Sequence, residues 1–98
     1  MLFALICNDK PGHLQTRLDT RPAHLAFLDG LNAKGELAFA GPFLDADGKP
    51  NGSLVVVDVA DRAAAEALAV ADPYAGAGLL ASVEVRPWVW VVNKPENA

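Results

Sequence analysis

"ELAFAGPFLDADGKPNGSLVVVDV", residues 36–59, decides the fold. Both of its ends are apolar, while its centre holds Gly48, Pro50 and Gly52, so it reads as strand, connection, strand. "ELAFAGPF", 36–43, is one strand, stopped by Gly41-Pro42. After "LDADGKPNG" the β-branched run "SLVVVDV", 53–59, is the other. A hairpin in mid-chain pairs antiparallel, and the segments on either side of it must then supply the remaining layers.

Upstream, "LFALIC", 2–7, is a short apolar run ending at "NDKPG", which fits a strand buried on both faces and a loop. Between Leu14 and Lys34 the spacing becomes helical: Leu14 and Leu18, then His24, Phe27, Leu28 and Leu31 recur at threes and fours. Pro22 interrupts this pattern, so the expectation is a short helical lead-in, a main helix capped near Thr20, and a stop at Gly35. Downstream, Asp61 offers an N-cap to "RAAAEALAVA", a strong helix former that runs to Asp72. "SVEVRPWVWVV", 82–92, alternates as a strand, with Pro87 marking a bulge or an edge position, and the tail "NKPENA" is expected to fray. The order β-α-β-β-α-β predicts an α+β, ferredoxin-like fold, a four-stranded antiparallel sheet with two helices on one face.

The totals agree with one domain over residues 1–98. The chain is 52% hydrophobic and 20% charged, enough apolar surface for a single core. Its mean hydropathy, +0.21, implies more apolar surface than a monomer covers, which favours a homodimer. The net charge of −4 and absence of a basic run exclude phosphate-backbone binding, so no nucleic-acid partner is expected. The single cysteine, Cys7, cannot close an internal disulfide and suits a reducing cytoplasm. "MLFALICNDK" lacks the basic start of a secretion signal, and its apolar run of about six residues is shorter than the ~7–15 such a signal needs. No stretch approaches the ~18 apolar residues that cross a bilayer, so no membrane partner is expected. No metal or cofactor motif is present; His13, in "PGHL", has no ligand set around it.

The topology predicts which polar residues meet. If the first strand points up, the upper rim collects Asn8 and Asp9, the segment from Arg17 to His24, Gly41 and Pro42, Gly52 and Ser53, and Asp72 to Tyr74. His24 shares a stripe with Phe27, Leu28 and Leu31, so its ring faces the core and needs a hydrogen-bond partner. The end of the second helix delivers Asp72. A carboxylate on one ring nitrogen would fix the tautomer and leave the other nitrogen as a base. Two readings stand for each residue: His24 is a base or a structural histidine held by a backbone carbonyl, and Asp72 orients it or caps the turn begun by Pro73. Arg17 and Arg21, one turn apart, grip an anion or form a solvated face. Ser53 is a nucleophile or, with no G-x-S-x-G elbow around it, hydrogen-bonds at a strand start, and Tyr74 lines a pocket or the core rim. Trp88 and Trp90, two apart on the last strand, put both indoles on the sheet face away from the helices, where a partner copy could cover them.

Taken together, "RPAHLAFL", then "GP", "GS" and "DPYAGAGL", resemble the YCII-like (YciI) family of small ferredoxin-like proteins, from Met1 to about Val91. The resemblance implies a dimeric α/β barrel, two sheets packed face to face with one cleft per subunit. It implies that His24 and Asp72 stand at the family's proposed active-site positions, and that Ser53 and the Arg21 region line the cleft. One enzyme with such a domain is a dehydrochlorinase acting on a chlorinated hydroxyquinol. The resulting expectation is a cofactor-free, small-molecule enzyme of lyase or isomerase type, with His24 and Asp72 as an acid/base pair and Arg17, Arg21, Ser53, Gly41, Pro42 and Tyr74 contacting substrate. The rival expectation is a module that holds a ligand in the same cleft without turnover.

Overall fold

The structure, a computed structural model, describes residues 1–96. Its elements are β1 (Leu2–Asp9), α1 (Leu14–Ala33), β2 (Leu37–Leu44), β3 (Pro50–Asp58), α2 (Arg62–Ala71), α3 (Pro73–Gly76) and β4 (Leu80–Trp88). The strands form one sheet in the order β2-β3-β1-β4, antiparallel at every step. This is the ferredoxin-like arrangement that the mid-chain hairpin predicts.

Strand alternation divides the sheet into two faces. Phe3, Leu5 and Cys7 of β1 and Val55 and Val57 of β3 join Leu28, Leu31, Ala65 and Ala69 of the helices in the core. On the other face Ala4 and Val56 are buried although no helix covers them. Phe39, Trp88 and Trp90 gather on that side, with Phe39 at ring-centroid distances of 5.5 and 4.8 Å from the two indoles.

Four local expectations are corrected. First, α1 is continuous from Leu14 to Ala33 with Pro22 inside it, and its N-cap is His13, without a side-chain bond, not Thr20. Proline removes the bond to the Leu18 carbonyl, but Leu18 and Pro22 are exposed, so water can take that carbonyl. The opposite stripe, Arg17, His24, Leu28 and Leu31, is buried and holds the helix on the sheet. Second, Leu18, placed on the core stripe by its spacing, is 46% exposed. Third, β2 runs through Gly41-Pro42 to Leu44. It is an edge strand, as is β4 with its Pro87, and an edge accepts a proline whose missing N–H faces away from the ladder. Fourth, β4 spans 80–88, not 82–92, and Trp90 lies beyond it. Trp88 already pairs with Leu2, so β1 has no further strand residue to offer. Of the tail, residues 97 and 98 lie outside the described residues.

Asp61 caps α2 as its position predicts, its side chain accepting from the Ala64 N–H. Gly52 is required by close approach: a Cβ there would stand 2.6 Å from the Cys7 carbonyl oxygen across the β1–β3 ladder. Among the described residues no helix is long and apolar enough to cross a membrane.

Candidate active site

The rim residues converge on a cavity of about 360 Å³ between α1 and the β2–β3 hairpin. That size is within the range of small-molecule pockets. Arg17, Arg21 and His24 reach it from α1, Gly41 and Pro42 from β2, Ser53 from β3 and Tyr74 from α3. Leu18, Leu25, Leu28, Leu44 and Val55 supply apolar wall, which residue-by-residue motif reading had not included. Asp72 stands behind His24, outside this lining.

His24 and Asp72 form a buried pair. Nδ1 of His24 is 2.9 Å from Asp72 Oδ1, and the two residues are 6% and 7% exposed. The same Oδ1 accepts the Tyr74 N–H at 2.9 Å, so Asp72 caps α3 and holds the imidazole at once. Local sequence dictates the cap: Asp72 precedes Pro73, whose fixed φ starts the short helix and whose missing N–H is one the first turn leaves unused. The carboxylate accepts from Nδ1–H, which places the lone pair on Nε2. Among the described residues Nε2 has no hydrogen-bond partner.

Tyr74 joins this pair to a second one. Its ring stacks on the His24 ring with centroids 4.0 Å apart, and the Arg17 guanidinium carbon lies 4.5 Å from the Tyr74 centroid. Arg17 and His24 are seven residues apart on α1, two turns along the same face, so both reach one aromatic ring. Arg17 is only 3% exposed, which removes the solvated-face reading for it. Its Nε and one terminal nitrogen donate to the two oxygens of Asp9 at 2.6 and 2.9 Å, and that terminal nitrogen also donates to Ser53 Oγ at 2.9 Å. Arg21, by contrast, is exposed at the mouth and makes no ion pair with the described residues.

Burial pulls the Arg17 guanidinium down, but the hydrogen bond and charge of Asp9 outweigh it and the group is held above its ordinary value. Burial pushes the Tyr74 phenol up; Arg17 opposes this and Asp72 adds to it. The Cys7 thiol, pushed up to about 11 chiefly by burial and next by Asp72, stays protonated in the core. His13 lies apart from this cluster, its Nδ1 against the Pro11 carbonyl at 2.9 Å.

Asp9 is the residue of this cluster that motif reading does not single out. Topology placed it on the rim, but nothing in "NDKPG" marks it as the partner of an arginine eight residues on. The available signal was Arg17 itself, on a stripe too buried for an unpaired charge.

This geometry can be set beside known proteins. The chain matches the YCII-related domain over residues 1–89. It is 39% identical over 94 residues to Protein YciI of Escherichia coli, covering 90% of this chain and 96% of the relative. The chain belongs to the YCII-related family. Another relative, an uncharacterized protein of Haemophilus influenzae, is 37% identical over 95 residues, 90% of this chain and 96% of that one. Among solved structures, the YCII-related chain is similar to TftG, the 5-chloro-2-hydroxyhydroquinone dehydrochlorinase of Burkholderia phenoliruptrix, solved in complex with 2,5-dihydroxybenzoquinone. The TM-score is 0.83 at 34% identity, over 91% of this chain and 94% of that one. A NIPSNAP domain protein of Burkholderia xenovorans shares the fold at a TM-score of 0.53 and 22% identity, over 98% of this chain and all of that one (100%).

Proposed function

We propose that the protein is a small-molecule enzyme of the YCII type in which His24, oriented by Asp72, moves a proton on a planar substrate bearing acidic enol or phenol hydroxyls. The observation that carries this reading is the 2.9 Å contact between His24 Nδ1 and a buried Asp72 oxygen beside a cavity of substrate size. Nε2 is the base. It takes a hydroxyl proton, the oxygen's electron pair becomes the π bond of a carbonyl, and a ring carbon takes up the proton, which is an isomerisation. Where that carbon bears a leaving group, the group departs as an anion while a second hydroxyl gives its proton to His24, which is an elimination of HX. Asp72 stabilises the imidazolium formed at each proton capture. Arg21, at the mouth and without an ion pair among the described residues, supplies the positive charge that an acidic ligand requires, and the leucines of the wall suit its flat apolar part. Similarity to a dehydrochlorinase that holds a dihydroxybenzoquinone supports this substrate class.

The test is turnover of chlorinated and unchlorinated hydroxyhydroquinones, followed by chloride release and by the absorbance of the quinone. His24→Ala should lower the rate about 10²–10⁴-fold, the usual contribution of a positioned acid/base group. Binding without turnover by the native protein would instead identify a ligand-holding module.

The same reading includes a homodimer through the open sheet face, in a reducing cytoplasm that keeps Cys7 a thiol. Supporting it are the Phe39, Trp88 and Trp90 cluster and the exposed Val89, Val91 and Val92 beside it. Sedimentation should give twice the chain mass, and Trp88→Glu should halve it.

A further inference from the structure

We infer that the ligand carries an apolar arm on its acidic ring, and that this arm lies on a collar of exposed side chains at the cavity mouth, Leu18 and Leu25 of α1 and Leu44 of β2. This deepens the function proposed above and rests on it for the acidic head alone.

The cavity is polar at its inner end and apolar at its mouth, and two adjacent stripes of α1 produce that order. The stripe of Arg17 and His24 is buried and brings its polar groups to the inner end, beside Tyr74. The next stripe is Leu18, Arg21 and Leu25, spaced three and then four apart, so these side chains share one face. All three are exposed and line the same cavity. Across the opening stands β2, an edge strand, where Ala40 and Pro42 are two apart and so point to one side. Leu44 follows at the end of that strand, and all three of these residues line the cavity and are exposed. Arg21 is thus the one charged group in an otherwise apolar mouth.

Exposure decides what the collar is for. Leu18 and Leu25 are each 46% exposed and Leu44 is 60% exposed. None of the three belongs to the hydrophobic core, which α1 enters through Leu28 and Leu31 instead. One exposed leucine is ordinary, but three lining one cavity form an apolar patch of the kind that marks a binding groove. A small acidic ring satisfies the inner end and leaves the collar wet. A ligand whose ring enters first and whose alkyl or aryl arm trails outward covers both, and removes leucine surface from water. Because the collar continues the cavity wall, its occupant is the ligand already seated in the cavity. The size agrees, since about 360 Å³ is in the range that takes drug-sized molecules, and a bare quinone ring leaves part of it empty.

The probes are 2,5-dihydroxybenzoquinone and its 3-alkyl derivatives from methyl to hexyl. They are titrated by calorimetry into the native protein, the single variants Leu18→Gln, Leu25→Gln and Leu44→Gln, and the double variant Leu18→Gln/Leu25→Gln. These positions are exposed, so the substitutions leave folding intact. Burying one methylene tightens binding about fourfold, and the native Kd should fall by about that factor for each of the first carbons. Each single variant should lower the gain per methylene, and the double variant should bring it below about twofold. The gain is a ratio within each protein, so any change in affinity for the bare ring cancels. A native protein that binds the bare ring and gains nothing from the arm overturns the inference and leaves the proposed function standing; a second copy of the chain seated on the collar would give this result. A gain that persists undiminished in the leucine variants puts the arm on another surface and overturns the inference as well. A native protein that binds neither the bare nor the alkylated quinones sinks both readings.

Discussion

Two buried acid–base pairs flank the single tyrosine, and they are built differently. On one side Asp9 grips Arg17 with both oxygens, joining the end of β1 to the first turns of α1. On the other, Asp72 meets His24 through one oxygen, which it shares with a backbone N–H. An arginine stays charged at every pH of interest, so the first pair cannot exchange protons and acts as a clamp. An imidazole can take up a proton on one ring nitrogen while the other stays bonded, so the second pair can. The difference teaches that burial and pairing alone do not mark catalysis. What separates the pairs is which partner can release a proton, and whether it keeps a free nitrogen.

The comparison breaks most visibly at the clamp. Asp9→Ala leaves the Arg17 charge buried and uncompensated, and should cost about 3–5 kcal/mol in chemical denaturation. A cost below about 1 kcal/mol would mean the guanidinium finds water, and that the clamp is loose. The clamp side also depends on how closely β3 approaches β1. Gly52→Ala puts a Cβ against the Cys7 carbonyl and should lower stability by about 1–3 kcal/mol, as overpacking does.

The His24–Asp72 pair should give the reverse balance, small in stability and large in rate. Asp72→Asn removes the acceptor from Nδ1–H and should cost about 1–3 kcal/mol, while lowering turnover by far more than that stability loss explains. The smallest effect is at the ring between the pairs. Tyr74 is the only tyrosine, so the phenolate absorbance reports it alone, and its ionisation should appear above the ordinary value near 10. Because the phenol ionises at higher pH folded than unfolded, stability is full below about 10 and falls as pH rises through the folded value. Cys7 acts in the same direction from about 9 to about 11, so Cys7→Ser should flatten the first part of that fall.

Much of this was legible in the chain. The β-branched run 53–59 and the alanine-rich run after Asp61 could form only a strand and a helix, and with the hairpin they fixed the element order. That order placed His24 and Asp72 on one rim before any distance was known. The misses lie where tertiary contacts override local preference. Pro22 reads as a break, yet buried residues on the opposite stripe keep α1 whole. Trp90 alternates as though in a strand, yet β1 ends at its first residues and gives it nothing to pair with. Asp9 was invisible as a partner because a carboxylate in a Pro-Gly loop looks like any solvated loop acid. The two readings of Arg17 stayed open in the sequence because its spacing treats it and Arg21 alike, and only burial separates the two.

The central claim is that Asp72 holds His24 in one tautomer, with the proton on Nδ1 and the lone pair on Nε2. It is tested most directly by the nitrogen-15 spectrum of the neutral imidazole in uniformly labelled protein. His13 is the only other histidine, and His13→Gln assigns the signals. The account predicts a protonated, pyrrole-type Nδ1 and an unprotonated, pyridine-type Nε2 for His24, with that preference weakened in Asp72→Asn. A pyrrole-type Nε2, or a tautomer mixture unchanged by the Asp72 substitution, would contradict it.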